Sequence, residues 1–319
     1  MIELRCSDQL PVPAVIPGPF LRVVVESNRR RTVSDVGTGG AHRLRDAYRR
    51  VWVPGRSLFR IVSIETRTGC NFACSFCPVA RTSDPRPIRE MPLAVIQRIA
   101  AELMHIQYRG SVMFFCNNEP LLDERLLAIV GLFAASCPEA RLKILTNGIL
   151  LTPQLAVQLF QAGLDVLEIN NYTDGRKLTK PVCEMLRHAD AMREYDIRIN
   201  MRRTLEILSN RAGTAPNAPF LAEPLRRFCA LPFTDLNVVG DGQVTLCCFD
   251  ALHQTQVSHL SCGSLRDAWW GQMMEGAREM LLNLDRAALH PCQLCDWDGF
   301  RELRCLQLWP ADEPEVVHQ

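Results

Sequence analysis

From residue 59 to about residue 239 the chain alternates short apolar runs with longer stretches in which apolar residues recur every three or four positions. The short runs predict strands at Arg60–Thr66, Ser111–Phe115, Arg141–Thr146, Asp165–Asn170, Ile197–Arg202 and Phe233–Val238. The stretches between them predict helices at Leu93–Ile106, Leu121–Ser136, Pro153–Gln161 and Lys177–Tyr195. Strand–helix alternation of this kind builds parallel βαβ units with the helices packed outside the sheet. Six strands are too few to close an eight-stranded barrel, and an α/β chain with a partial (β/α)6 barrel fits the pattern. Chemistry in such barrels gathers at the C-terminal ends of the strands, where Cys70, Asn117, Asn147, Asn170 and Arg202 fall.

The flanks read less clearly. Pro11, Pro13, Pro17 and Pro19 interrupt regular structure near the N-terminus, and Phe20–Glu26 reads as one strand. Arg29–Arg31 is a basic run best read as a solvated turn, and Gly37, Gly39 and Gly40 predict a loop. Ser209–Pro219 is rich in turn formers; it reads as a linker, although it is long enough to reach over a barrel mouth. Asp241-Gly242 predicts a hairpin folding Thr234–Val239 back on Val244–Cys247. Leu265–Leu284 reads as one helix burying Trp269, Met273 and Met280. The implied division is an N-terminal extension of unassigned role (1–56), a barrel core (57–228) and a C-terminal domain (229–319).

Composition narrows the classes. The chain has 319 residues, 47% of them hydrophobic, which is enough for a sizeable core. A formal net charge of +1 gives no global field to attract nucleic acid or an anionic membrane. No apolar run is long enough to span a bilayer, and Met1–Phe20 lacks the apolar stretch of a signal peptide, so a cytoplasmic protein is expected. The 14 cysteines are then expected to be metal ligands or reactive thiols more than disulfides.

The cysteines fall into two sets. Cys70, Cys74 and Cys77 follow the first barrel strand at C-x3-C-x2-C spacing. Three thiolates suit a [4Fe–4S] cluster with one iron left open, whereas a structural zinc needs a fourth ligand that does not follow nearby. Cys229, Cys247, Cys292 and Cys295 make a set of four, the last two as C-x2-C, suited to a second cluster or to a structural zinc.

The first set, with Phe76 as the aromatic in C-x3-C-x-aromatic-C, resembles the cluster motif of the radical S-adenosylmethionine (SAM) superfamily. Asn117-Asn118-Glu119-Pro120 stands where that superfamily usually carries a Gly-Gly-Glu motif. The resemblance implies that Asn117, Asn118 and Glu119 meet the SAM amino group, and that Phe76, Asn147 and Asn170 lie by the cofactor. Arg202 or Arg203 would pair with the SAM carboxylate. The second set resembles the SPASM and Twitch subclass, in which the C-terminal domain holds auxiliary clusters. Cys295 is followed only by Cys305, a departure that favours the Twitch type with one auxiliary [4Fe–4S] cluster. The resemblance covers residues 58 to 305 and implies a TIM-like partial barrel, SAM and two [4Fe–4S] clusters as cofactors, and an external electron donor such as flavodoxin or ferredoxin. It also implies hydrogen abstraction from a small polar, aminoglycoside-like substrate. Cys248, next to a ligand on an expected strand, would face the barrel mouth as hydrogen-atom donor; this places epimerisation first. Dehydrogenation of a secondary alcohol and peptide maturation are the alternatives.

Overall fold

In a computed structural model, the described residues are 5–6, 21–24, 38–173, 177–188, 192, 194–203, 205, 207–299 and 309. Arg29–Arg31 and Cys305 lie outside them. Six parallel strands coincide with those predicted: β3 (Ile61–Ile64), β4 (Ser111–Met113), β5 (Arg141–Thr146), β6 (Val166–Tyr172), β8 (Asp196–Arg202) and β9 (Asp235–Val239). The helices α2 (Leu93–His105), α3 (Leu126–Ser136), α4 (Pro153–Gln161) and α5 (Lys180–Arg187) connect them. Buried faces of α2, α3 and α4 press Ile96, Ile99, Leu103, Ile129, Phe133 and Leu159 against the sheet. These side chains share one core with the strand residues Val62, Ile64, Val112, Ile144 and Ile169.

Strand order departs from a simple consecutive barrel. The sheet runs β11 (Gln256–His259), β10 (Gln243–Thr245), β9, β3, β4, β5, β6, β8, β2 (Leu21–Val24). The sixth predicted strand therefore lies parallel to the first, with Ile61 opposite Asp235 and Ile64 opposite Val238. Beside β8 stands the N-terminal strand β2, parallel and in register from Leu21–Ile197 to Val24–Asn200. The predicted hairpin forms, with Gly240 and Gly242 in the left-handed region at its turn and Val239 opposite Gln243.

Four local expectations need correction. Residues 38–51 form helix α1, where a glycine loop was expected; Tyr48 is buried on the second core with Leu44 packed beside it. Lys177–Leu178 is a short strand, β7, paired with β1 (Arg5–Cys6), so the following helix begins only at Lys180. A 3-10 turn at Pro120–Leu122 precedes α3, so the helix predicted from Leu121 starts at Leu126. The single helix expected over Leu265–Leu284 is two, α6 (Leu265–Trp270) and α7 (Gln272–Leu282), broken at Gly271, whose extended backbone (ψ 155°) caps α7. The break resets the helical phase: Met274, Ala277 and Leu281 are buried and Met273 is 65% exposed.

The barrel core and the second core meet at a cluster of aromatic rings. Trp52 touches Phe233, Trp269 and Trp270, and Trp269 donates from Nε1 to Ser57 O at 2.8 Å. The Arg278 guanidinium lies over Trp269 at 4.1 Å and Trp52 at 4.8 Å, and burial lowers its pKa to about 10. Among the described residues, no helix is long and apolar enough to cross a membrane. Trp269 is fully buried at this junction, so Trp269→Ala is expected to cost about 3–5 kcal/mol, read as a lower denaturation midpoint in urea.

Candidate active site

The cluster loop leaves β3 through Gly69, whose φ of +100° favours glycine; an added Cβ would also meet Ile88 Cδ1 at 2.7 Å. Gly69 bridges to Asn118, and its carbonyl accepts from Glu119 N at 2.9 Å, so the loops after β3 and β4 are laced together at the barrel mouth. Cys70, Cys74 and Cys77 are half-buried on the first of these loops. Burial pushes the Cys70 thiol up to about 11 and also raises Cys77, the latter opposed by the charge of Arg211.

The predicted strand-end residues come together around these thiols. Asn147 donates from Nδ2 to Asn71 Oδ1 at 2.7 Å and to Cys70 Sγ at 3.8 Å. Glu119 is buried, and burial raises its pKa. Its carboxylate accepts from Thr146 Oγ1 at 2.6 Å, Asn147 N at 2.8 Å and Leu121 N at 3.1 Å. Glu119 thus caps the 3-10 turn and ties β4 to β5. Asn118 Oδ1 accepts from Cys116 N at 3.2 Å, while its buried Nδ2 has no hydrogen-bond partner. An orphaned buried donor costs about 1–3 kcal/mol, and a ligand acceptor such as a carboxylate would satisfy it. Asn170 accepts from Asn200 Nδ2 at 3.2 Å and donates to Tyr172 Oη at 3.3 Å. Tyr172 stacks on Phe72, centroids 5.3 Å apart, and packs against Phe76 at 5.9 Å. Burial pushes its phenol well up, Cys74 adds to the rise, and the nearby charge of Arg202 opposes it. Arg202 is therefore close to the cluster loop, whereas Arg203 is exposed.

Several residues here gave little sign in the sequence. Glu65, fully buried at the end of β3, accepts from Asn117 N at 2.9 Å and pairs with Arg86 at 3.0 Å. Arg86 Nη2 donates to Asn117 O at 2.7 Å, and Arg86 is also held by Asp84 and by His253 Nε2 at 2.7 Å. The Asn117 peptide is thus gripped from both sides. A carboxylate ending an otherwise apolar strand run was the signal for Glu65; Asp84-Pro85-Arg86-Pro87 looks like a turn and nothing more. Arg211, in the loop read as a linker, donates to Asn117 Oδ1 and lies over the Phe249 ring at 5.5 Å. Asn210 bonds to Leu294 O at 2.7 Å and Asp296 Oδ1 at 2.8 Å, and Asn217 reaches Ser75 at 3.3 Å. That loop spans from the barrel mouth to the second cysteine set.

Cys229, Cys247, Cys292 and Cys295 are all buried within one apolar cluster, close enough that the other three thiols add to the rise that burial causes at Cys247. Among the described residues, no three Cys, His, Asp or Glu side chains converge as tightly as one metal ion requires. Four thiols gathered in one apolar pocket are a donor set that suits an iron–sulfur cluster or a structural zinc. Cys248 does not lie on a strand as expected: β10 ends at Thr245, and Cys247–Asp250 is a turn closed by Asp250 N to Cys247 O at 3.2 Å. Strand alternation therefore does not orient Cys248. Its carbonyl accepts from Asn117 Nδ2 at 3.2 Å, its half-buried thiol lies near Cys116, and the residue bridges the barrel mouth and the four-thiol set.

The model of the Radical SAM superfamily matches residues 64–202. Residues 64–202 thus resemble a radical SAM domain. It is 26% identical over 240 residues, 75% of this chain and 93% of the relative, to the S-adenosyl-L-methionine-dependent 2-deoxy-scyllo-inosamine dehydrogenase of Niallia circulans. Its fold is similar to that of BtrN in complex with AdoMet and 2-DOIA, with a TM-score of 0.63 and 24% identity over 75% of this chain and 93% of that one. Native anSMEcpe with bound AdoMet shares the fold at a TM-score of 0.51 and 12% identity, over 78% of this chain and 92% of that one.

Two outcomes test the site. Anaerobic reconstitution is expected to load about eight irons per chain, and changing Cys70, Cys74 and Cys77 to Ala should leave about four and abolish SAM cleavage. Glu119→Gln replaces an acceptor oxygen by a donor beside the bonded N–H groups; a stability loss of about 1–3 kcal/mol and weaker SAM binding by calorimetry are expected, with iron content unchanged.

Proposed function

We propose that this chain is a radical SAM dehydrogenase that oxidises a secondary alcohol of a small, polar, amine-bearing ring to a ketone. The observation that carries the reading is the similarity across three-quarters of the chain to a 2-deoxy-scyllo-inosamine dehydrogenase. The sequence motifs alone had put epimerisation first, on Cys248; the relative reverses that order. Cys70, Cys74 and Cys77 would hold the SAM-binding [4Fe–4S] cluster, and Cys229, Cys247, Cys292 and Cys295 the auxiliary one. With SAM bound, these groups supply a radical able to remove a hydrogen atom from an unactivated carbon, and an acceptor for one electron. Oxidation of the alcohol would then balance as loss of one hydrogen atom from carbon, one proton from oxygen and one electron, which the group held by Cys229, Cys247, Cys292 and Cys295 would take up.

The protein's own work is positioning and exclusion of water. Tyr172, Phe72 and Phe76 form an aromatic wall at the cluster loop. Asn118 offers its free amide N–H and Arg202 its charge to the polar end of SAM. The Glu65–Arg86 pair fixes the Asn117 peptide, and the Arg211 loop covers the mouth. A flavodoxin or ferredoxin would deliver the starting electron.

Epimerisation is kept as a second reading because Cys248 is half-buried and is tied to the barrel mouth through a hydrogen bond from Asn117 Nδ2 to Cys248 O. Product analysis in heavy water with candidate aminocyclitols separates the two. A dehydrogenase gives a product lighter by two hydrogens, and a fully iron-loaded Cys248→Ala variant turns over within about twofold of the parent. A product of unchanged formula with one deuterium at an inverted carbon, lost in Cys248→Ala while 5′-deoxyadenosine still forms, would replace the dehydrogenase by the epimerase.

A further inference from the structure

Arg286 follows α7, directly before the segment that carries Cys292 and Cys295, and it is 1% exposed. Its guanidinium donates to three backbone carbonyls: Arg227 O at 3.0 Å, Phe228 O at 3.1 Å and Trp297 O at 2.7 Å. Among the described residues, no carboxylate pairs with it. Arginine stays charged in a protein interior, so a buried cation is held here directly by backbone carbonyls. An unpaired buried charge is strongly destabilising, and its persistence calls for an anion close by.

The neighbours name that anion. The carbonyls that hold Arg286 belong to the residues just before Cys229 and to the second residue after Cys295. An ideal Cβ on Gly299 would meet both Arg286 Nη2 and Cys229 Cα at 2.8 Å, so the guanidinium lies beside the backbone of Cys229. The packing leaves the guanidinium no room to turn away. The same Cβ would stand 2.1 Å from Phe228 O, at a backbone φ of +81°. The chain after Cys295 is therefore closed tightly over the arginine, and Ala230 N donates to Gly299 O at 2.9 Å to seal it.

We propose that Arg286 is the built-in counter-charge of the auxiliary thiolate–iron group, and that it holds the group's reduction potential up so that it accepts an electron. Net charge, hydrogen bonding and exposure set such potentials, and adding an electron beside a fixed buried cation is favoured. Arg286 touches neither substrate nor SAM in this account; it is a positioning and tuning residue. The proposal rests on the reading of the four buried thiols as an auxiliary cluster site.

The test is an EPR-monitored redox titration of the reconstituted full-length enzyme, with the SAM-binding cluster identified by its response to added SAM. Parent, Arg286→Lys and Arg286→Met are compared, with iron content measured on each. Arg286→Met is expected to lower the reduced-to-oxidised ratio of the auxiliary signal at least tenfold at fixed potential, a downward shift of about 59 mV for one electron. Arg286→Lys should stay near the parent. Loss of the auxiliary signal in Arg286→Met with retention in Arg286→Lys also supports the counter-charge, because occupancy then follows charge. An unchanged midpoint in a fully loaded Arg286→Met, or equal loss of the cluster in both variants, overturns it. A parent enzyme that loads only about four irons instead overturns the auxiliary-cluster reading itself.

Discussion

The site hangs on one buried ion pair. Glu65 and Arg86 come from the end of β3 and from the far side of the cluster loop, and between them they bond both the N–H and the carbonyl of Asn117. Asp84 holds Arg86 in bidentate fashion, and His253 reaches the same guanidinium from the C-terminal part of the chain. Four segments distant in sequence thus share one polar knot. A buried pair of this kind is weak evidence for stability, because desolvation offsets much of the attraction. Its effect is geometric: the loop after β4 cannot shift without breaking the hydrogen bonds that both members of the pair make to the Asn117 peptide. Asn117 in turn passes the constraint on, to Arg211 through Oδ1 and to Cys248 through Nδ2.

The N-terminal segment is joined to both halves of the structure. β2 extends the parallel sheet beside β8, and Tyr48 of α1 lies against Phe228 at 5.0 Å, next to Cys229. The aromatic rings around Arg278 lock the same corner. The ring faces and the Glu275 carboxylate recover part of what this buried guanidinium loses in hydration.

Much of this was legible in the residues. The six strands and most of the helices followed from apolar periodicity, since each packs one face or both on a common core. Both cysteine sets, and the gathering of Asn117, Glu119, Asn147, Asn170 and Arg202 at one end of the strands, followed from spacing and from the βαβ pattern. What stayed hidden depends on contacts between distant segments. Helix α1 opens on Gly39 and Gly40, which read as a loop, and seats Tyr48 on residues almost two hundred positions away. The placement of β9 beside β3 instead of β8 leaves no local trace, because either neighbour buries the same faces. Glu119 was assigned to a ligand, yet its carboxylate already holds three partners of its own, which only the fold could disclose. Arg211 and Arg286 look like ordinary surface charges until the chain closes around them.

The pairing of β9 with β3 bears on electron traffic. β3 leads directly into the Cys70 loop, while β9 and its hairpin partner β10 lie between Cys229 and Cys247. The two thiol sets are therefore joined through adjacent rungs of one backbone ladder, and not through a flexible tether between separate bodies. Tunnelling rates fall exponentially with distance, so a gap that breathed would make transfer erratic. Here the strands that lead to the two thiol sets are held together by main-chain hydrogen bonds. The sheet's backbone, more than any side chain, thereby sets how far apart the two thiol sets stand.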